Sequence, residues 1–256
     1  MVVVDLHGGP HGGDESGKSL FTDAACQAKF IEVWQRMARR YKDTKAVWAY
    51  DLLNEPNEGA VEGELADWQE LAERAAKAVR AIDPHTTIIV EPPQGGGPAG
   101  LTHFHPIAVP RVVYSVHMYL PHTFTHQGVH GKWTNHYRYP GDIQGMAWDK
   151  ARLATALQPV VDFQEAYGVH IYIGEFSAIR WAPEGSAYRY LRDVIDILEA
   201  NGWDWTYHAF REWSGWSVEH GTDRKNRERT RTPTQREKLL RAWFAQNKRP
   251  TWATAP

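Results

Sequence analysis

Cysteine is almost absent from this 256-residue sequence, in which Cys26 is the only one. A single cysteine cannot form a disulfide within its own chain. The sequence therefore has no disulfide framework that would indicate a redox compartment.

Large charge imbalance and long apolar runs are lacking as well. The formal net charge is −2, so no overall basic field would draw the chain to nucleic acid or to an anionic membrane. No apolar run approaches the length of a membrane span. The first residues show no cationic stretch followed by the apolar core of a signal peptide. We therefore expect no nucleic-acid partner and no membrane partner.

Tryptophan is abundant, by contrast, with twelve residues alongside eleven tyrosines. Flat aromatic rings are suited to stacking on the apolar faces of sugar rings. They are equally suited to filling a large hydrophobic core. Composition alone does not separate these two interpretations.

Short β-branched runs alternate with longer stretches whose apolar residues recur at helical spacing. The predicted strands are Val2–Leu6, Ala46–Leu53, Thr86–Glu91, Arg111–Tyr119, His170–Glu175 and Trp203–Phe210. The predicted helices are 24–43, 64–83, 148–168, 186–202 and 232–247. This alternation predicts an α/β fold with a parallel sheet covered by helices. No repeat or linker divides the chain, so we expect one domain over residues 1–256, with a solvated charged loop at 221–233.

Polar residues stand where the predicted strands end, which is where parallel α/β barrels build their active sites. Asn54 and Glu55 follow one apolar run, and Glu175 lies inside another beside Phe176. Asn54 and Glu55 could instead form a surface turn, and Glu175 could instead form a structural salt bridge. Two glutamates at the ends of different strands favour a general acid and a nucleophile across one cleft.

Metal binding is a competing hypothesis because the sequence has thirteen histidines. His103 and His105 lie close together, and His122, His126 and His130 follow one another at four-residue steps. Pro121 and Gly128 argue against a helix there, and without a helix the spacing does not indicate a zinc site. We expect no metal and no cofactor.

Several motifs, taken in order, resemble glycoside hydrolase family 5, the cellulase-type enzymes. "LLNEP" (52–56) is followed about 120 residues later by "YIGEF" (172–176). The supporting motifs are "VVVDLHGGPHGG" at residue 2, "VYSVHMYLP" at 113, "FTHQG" at 124 and the aromatic "WDWTYHAFREWSGW" at 203. The resemblance runs from Val2 to about Trp216 and implies a (β/α)8 TIM-barrel fold.

The resemblance also implies roles for individual residues. Glu55 would be the acid/base and Glu175 the nucleophile of a retaining hydrolase. Asn54 would bind the sugar 2-hydroxyl, His7 would bind sugar hydroxyls, and His126 would lie on the substrate side. His117 would tune the acid/base, and Tyr119 would hydrogen-bond the nucleophile.

The sequence departs from the family pattern in three places. It supplies what resemble strands three to eight, so we expect an incomplete barrel of about six βα units. No arginine matches the one that the family's second strand directs at the nucleophile. The usual stacking tryptophan aligns with His208, and Trp213, or else Trp205, would replace it.

These features lead to two functional hypotheses. The first is a retaining glycoside hydrolase that cleaves β-1,4-linked glucans, extracellular by resemblance. The second is a weak or inactive barrel fragment that only binds carbohydrate. Because an incomplete barrel leaves open strand edges, we also expect the chain to form a homo-oligomer.

Overall fold

The computed structural model describes residues 1–10, 17–131 and 135–248. Residues 11–13 of the first motif lie outside these ranges. Contacts between Cα atoms group the chain into two compact units. The first unit comprises residues 1–118, 155–175 and 201–206, and the second comprises 119–154, 176–200 and 207–256. The expectation of a single domain therefore stays a prediction.

A six-stranded sheet forms the centre of the first unit. Its strands are β1 (Val2–Asp5), β2 (Val47–Asp51), β3 (Thr87–Val90), β4 (Val112–Met118), β7 (His170–Phe176) and β8 (Asp204–Trp205). They are ordered β1-β2-β3-β4-β7-β8, and the pairs β1–β2, β2–β3, β3–β4 and β7–β8 run parallel. The predicted α/β class with six βα-type strands of a (β/α)8 barrel is confirmed.

Valine and isoleucine dominate these strands because branched side chains pack well on a pleated surface. Ala49, Ile89 and Tyr172 form a buried apolar cluster that joins β2, β3 and β7. The ring of Trp48 packs edge-on against Tyr172, with centroids 5.5 Å apart. Burial on this scale fixes the register, since a slip of one residue would expose every buried side chain.

Helices α1 (Ala24–Tyr41) and α2 (Trp68–Arg80) follow β1 and β2 and pack against each other. Each begins at an aspartate whose side chain accepts a backbone amide, Asp23 from Ala25 and Asp67 from Glu70. Such caps satisfy amides that have no partner within the helix. The cap at Asp67 places the start of α2 four residues later than the sequence predicted.

The helix predicted over 148–168 is wrong as a single element. The structure has two helices, α4 (Lys150–Ala156) and α5 (Gln158–Tyr167), and Pro159 lies in the first turn of the second. Proline lacks the amide that would continue the preceding helix. A hairpin of β5 (Gly141–Ile143) and β6 (Met146–Trp148) precedes them.

The second unit contains α3 (His122–Thr125), α6 (Ser186–Ala200) and α7 (Gln235–Phe244). Helices α6 and α7 pack against each other. Thr234 caps α7, so residues 232 and 233, which the sequence predicted as helical, lie before the helix. Within the described ranges, no helix is both long and apolar enough to cross a membrane.

The last predicted strand, Trp203–Phe210, is wrong in its length. Only Asp204 and Trp205 form β8, and two further backbone hydrogen bonds follow, from the Thr206 amide to the Ile173 carbonyl and from the His208 amide to the Phe176 carbonyl. Phe210 is exposed rather than packed in a sheet. Burial alternates only from Trp203 to Tyr207, and the aromatic residues beyond have strand propensity without strand burial.

Candidate active site

The ends of four adjacent strands supply the central polar residues of the candidate site. Glu55 follows β2 by four residues, Glu91 directly follows β3, and His117 and Glu175 lie near the ends of β4 and β7. These strands are neighbours in the sheet. Residues distant in sequence are thereby brought to one edge, as in barrel enzymes.

His117 connects the three glutamates. Its Nδ1 lies 2.9 Å from Glu55 Oε1 and 3.8 Å from Glu175 Oε2, and its Nε2 lies 3.2 Å from Glu91 Oε1. The imidazole is almost completely buried, with 4% of its side chain exposed. The glutamates that the sequence predicted as acid/base and nucleophile therefore face the same ring nitrogen.

Glu91 supports this arrangement from behind, and only 1% of its side chain is exposed. Its Oε2 accepts the backbone amide of Glu55 at 2.9 Å, and its own carbonyl accepts the indole N–H of Trp68 at 2.7 Å. Glu55 has a φ of 46°, a left-handed conformation that is unusual for a residue with a side chain. The bond to Glu91 holds the backbone of Glu55 in this conformation.

Two glycines make room for the buried carboxylate and imidazole. A Cβ atom on Gly96 would lie 2.3 Å from Glu91 Oε2, and a Cβ atom on Gly174 would lie 2.6 Å from Ser115 Oγ and 3.2 Å from His117 Nε2. The Gly96 carbonyl also accepts the backbone amide of His117 at 2.9 Å. Both positions need glycine because the neighbouring polar groups approach the backbone closely.

Electrostatics determine the protonation of this cluster. Burial disfavours the charged imidazole, but the Glu91 charge and the hydrogen bonds to Glu55 and Glu91 outweigh burial, so the pKa of His117 lies well above its usual range. Burial raises the pKa of Glu91, and the His117 charge opposes that rise. The cluster can thus hold a proton on His117 near neutral pH.

Asp51, at the end of β2, adds a further buried carboxyl. Burial, followed by the charge of Glu91, raises its pKa well above the usual range. Its Oδ1 accepts no hydrogen bond from any residue that the structure describes. The protonated form of Asp51 is therefore favoured, because a buried charge without a partner is costly.

His7 and Asn54 lie beside this cluster, on the loops after β1 and β2. His7 Nδ1 lies 2.9 Å from Asp5 Oδ2, and this hydrogen bond raises the pKa of His7. The backbone N–H of Asn54 donates to the Leu6 carbonyl at 3.1 Å, and Asn54 is buried. Trp205, on β8, pairs in register with Ile173.

Tyr119, His126 and Trp213 belong to the second unit, where Trp216 connects them. Trp216 lies 6.3 Å from Tyr119, 4.8 Å from His126 and 5.7 Å from Trp213, measured between ring centroids. Trp213 also meets Trp181 edge-on at 5.7 Å. His208, at the aligned position of the usual tryptophan, instead pairs with Glu212 at 3.0 Å.

The histidine-rich segment differs from its prediction. Residues 122–125 form the short helix α3, and the rings of His122 and His126 stack at 3.8 Å. Metal ligation is geometrically conceivable elsewhere, since possible ligand atoms of Glu55, His117 and Glu175 lie within 4.8 Å of one another. Acidic clusters without a metal are common, and the His117 nitrogens already face carboxylates, so we propose no metal there.

Sequence analysis missed Glu91, Asp51 and Gly96. Glu91 ends the apolar run "TIIVE" just as Glu175 interrupts "IYIGEF", so the same criterion could have identified it. Asp51 interrupts the apolar run "VWAYDLL" in a similar way. The need for glycine at position 96 depends on a contact with Glu91 that no sequence pattern reveals.

Comparison with known proteins places this arrangement in a family. The family model "Cellulase (glycosyl hydrolase family 5)" matches residues 1–214. Endoglucanase C of Acetivibrio thermocellus is 28% identical over 235 residues, covering 80% of this chain and 67% of the relative. Cellodextrinase A of Ruminococcus flavefaciens is 25% identical, covering 83% of this chain and 63% of the relative.

Solved structures agree with these relatives. Thermotoga maritima Cel5A in complex with cellobiose has a TM-score of 0.69 and 28% identity, covering 85% of this chain and 67% of that one. The cellulose synthase subunit Z of Clostridioides difficile has a TM-score of 0.69 and 27% identity, covering 84% and 68%. The chain spans about two thirds of the length of such relatives. It belongs to the cellulases of glycosyl hydrolase family 5.

Proposed function

We propose that this chain is a retaining glycoside hydrolase that cleaves β-1,4-linked glucans, with Glu175 as nucleophile and Glu55 as acid/base. The observation that carries the proposal is the convergence of both carboxylates on His117 Nδ1, at 2.9 and 3.8 Å. Two carboxyl groups around one cleft are what glycosidic bond cleavage needs.

The spacing of the glutamates supports retention of configuration. An oxygen of Glu55 and an oxygen of Glu175 lie within 4.8 Å of each other. Retaining enzymes hold their carboxyl groups about 5–5.5 Å apart, whereas inverting enzymes hold them about 6.5–9.5 Å apart to admit a water. The short separation favours direct attack by a carboxylate.

The proposed reaction has two steps. Glu175 attacks the anomeric carbon while Glu55 donates its proton to the leaving oxygen, which gives a glycosyl ester on Glu175. Glu55 then removes a proton from water, which attacks the same carbon and releases Glu175. In this scheme, Asn54 and His7 bind sugar hydroxyls and His117 adjusts the protonation of Glu55.

The proposed substrate follows from the relatives and from the aromatic residues. Relatives are named endoglucanases and a cellodextrinase, and Thermotoga maritima Cel5A was solved with cellobiose and with mannotriose. We propose Trp213 as a sugar-stacking ring, with Trp205 as the alternative. In the same proposal, Tyr119 steadies the nucleophile and His126 contacts substrate.

We also propose that two copies of the chain associate through strand edges. Strands β1 and β8 each have one neighbour in the described sheet. Val2 on β1 is 54% exposed, so its edge presents apolar surface together with unpaired backbone groups. A second copy could pair with this edge and cover it.

The test is release of reducing sugar from soluble β-1,4-glucan, β-1,3-glucan, xylan and mannan. Glu175→Gln should lower activity by roughly 10³-fold or more, because removing a nucleophile removes the covalent step. Glu165→Gln changes an exposed glutamate on α5 and serves as the matched control. Proton NMR of the first product should show the anomer of the substrate.

The outcomes separate the two functional hypotheses. Activity that is lost in Glu175→Gln and kept in Glu165→Gln supports the hydrolase and identifies its glycan. No activity in any variant, with binding of oligosaccharide retained, would mean that the chain is a carbohydrate-binding barrel fragment. An inverted first product would contradict the two-step mechanism.

A further inference from the structure

We propose that the second unit contains a binding site for a small oxyanion, lined by Arg180 and Arg236 at the start of α7. The site is a cavity of about 280 Å³. Its lining contains two guanidinium groups and no carboxylate among the described residues. The polar residues Tyr188, His220, Thr222, Thr234 and Gln235 also line it.

Arg180 is a buried cation, with 1% of the residue exposed. Its terminal nitrogens donate only to backbone carbonyls, and its Nε has no acceptor among the described residues. The charge of Asp223 acts on Arg180, but that carboxylate accepts the Lys225 amide and forms no described ion pair with Arg180. A buried cation without a counter-ion is costly, so an anion here would be favourable.

Arg236 is a second buried cation on the same cavity, with 4% of the residue exposed. It donates to the carbonyls of Ser217 at 3.3 Å and His220 at 2.6 Å, and no described carboxylate pairs with it. Burial lowers the pKa of Arg236, and the charge of Arg180 adds to this lowering. Two like charges that line one cavity repel each other, and an anion bound between them would offset this repulsion by attracting both.

The start of α7 contributes further positive potential. Thr234 caps this ten-residue helix, and its Oγ1 accepts the Glu237 amide. The amides of Gln235 and Arg236 have no acceptor inside the helix, and the helix dipole is positive at this end. Oxyanions bind readily at the starts of helices. Here the start of α7 lines the same cavity as the two buried guanidinium groups.

The chemistry of the lining defines the class of ligand. Guanidinium groups match the paired oxygens of phosphate and carboxylate, and the hydroxyls of Tyr188 and Thr222 can donate further hydrogen bonds. Free phosphate and the carboxylate of a sugar acid share this chemistry. The site belongs to the second unit and is independent of the proposed hydrolysis.

The test titrates the full chain with potassium phosphate and, separately, with sodium glucuronate, at ionic strength held constant with potassium chloride. We expect a saturable rise in melting temperature with at least one of them and saturable shifts of the Arg180 and Arg236 Nε–H signals in NMR spectra. The anion that produces both effects identifies the source of the ligand.

Two matched variants then locate the site. Gln235→Glu places a carboxylate at the start of α7 and should weaken the binding of the anion by about tenfold or more, while raising the melting temperature in its absence. Gln246→Glu makes the same change beyond the other end of α7, away from the lining, and should leave binding unchanged. Neither substitution removes a buried residue, so both variants should fold.

Three results would overturn the proposal. One is a melting temperature that neither anion raises at constant ionic strength. Another is an Nε–H signal of Arg180 and Arg236 that does not move with either anion. The third is equal anion binding in wild type and Gln235→Glu.

Discussion

His117 is the residue on which the protonation of the candidate site depends. Three glutamates face its two ring nitrogens, and Asp51 lies close enough for its charge to be coupled to the same group. Protons in such a cluster belong to the set of groups rather than to one side chain. The pH dependence of catalysis should therefore depend on Glu91, a buried carboxylate to which the proposed mechanism gives no contact with the substrate.

Glu91→Gln tests this dependence. Removing the charge of Glu91 should lower the pKa of His117, because that charge is the largest favourable influence on the imidazolium. The alkaline limb of kcat/KM should move to lower pH, since the cluster would lose its proton earlier as pH rises. The His117 pKa is measured by NMR titration of its imidazole.

The NMR readout does not require turnover, so it remains informative if the variant is inactive. Glu165→Gln serves as the control for removal of a distant glutamate charge. A His117 titration that is the same in Glu91→Gln and wild type would contradict the assigned role of Glu91.

Individual residues also show where sequence reasoning ends. Glu55 and Glu175 can be identified from the sequence because a glutamate beside an apolar run is costly to bury unless it is paired or functional. Arg180 stands within the similar run "FSAIRWAP" and was not identified, because its partners are carbonyl oxygens of the 221–226 loop. Backbone acceptors are the same for every sequence, so no residue pattern predicts such a contact.

At the scale of elements, the turn after β3 shapes the candidate site because two of its glycines adopt backbone conformations that side chains disfavour. Gly95 and Gly96 both have positive φ, 71° and 66°. A Cβ atom on Gly95 would have no neighbour within 4 Å, whereas one on Gly96 would meet Glu91 Oε2 at 2.3 Å. An alanine at position 95 would therefore introduce backbone strain alone, whereas an alanine at position 96 would add a steric clash with Glu91.

Gly96→Ala should be more destabilising than Gly95→Ala. Each alanine costs about 1–2 kcal/mol for a left-handed backbone. At position 96, displacement of the Glu91 carboxylate should cost about 1–3 kcal/mol more and should also lower kcat. Urea denaturation measures the difference, and equal unfolding free energies for the two variants would refute the contact.

The prediction of elements succeeded where one local signal dominates. Strands β2 and β7 consist mainly of buried apolar residues, and α1 and α2 combine amphipathic spacing with aspartate caps. It failed at β8 and at the break between α4 and α5. In those places the outcome depends on hydrogen bonding to a neighbouring strand or on one proline, and the composition remains typical of the longer element.

At the scale of the whole molecule, the sheet edges govern association. If β1 pairs with a second copy, sedimentation velocity at micromolar concentration should show a dimer or larger species. Val2→Lys should shift the distribution towards monomer, because lysine disfavours edge pairing. Lys18→Arg, which keeps the charge and leaves β1 unchanged, should leave the distribution unchanged. A wild-type protein that sediments as a monomer would contradict the proposed association.

The four backbone carbonyls that accept hydrogen bonds from Arg180 have a consequence for how the sequence of the 221–233 loop can vary. This segment is highly charged and its side chains are exposed, as the sequence suggested, yet the guanidinium holds it through the carbonyls of Gly221, Asp223, Arg224 and Asn226. An anchor that recognises only main-chain atoms does not discriminate among the side chains attached to them. The loop is therefore a position at which evolution, or a combinatorial library, can exchange surface chemistry while the path of the chain is preserved.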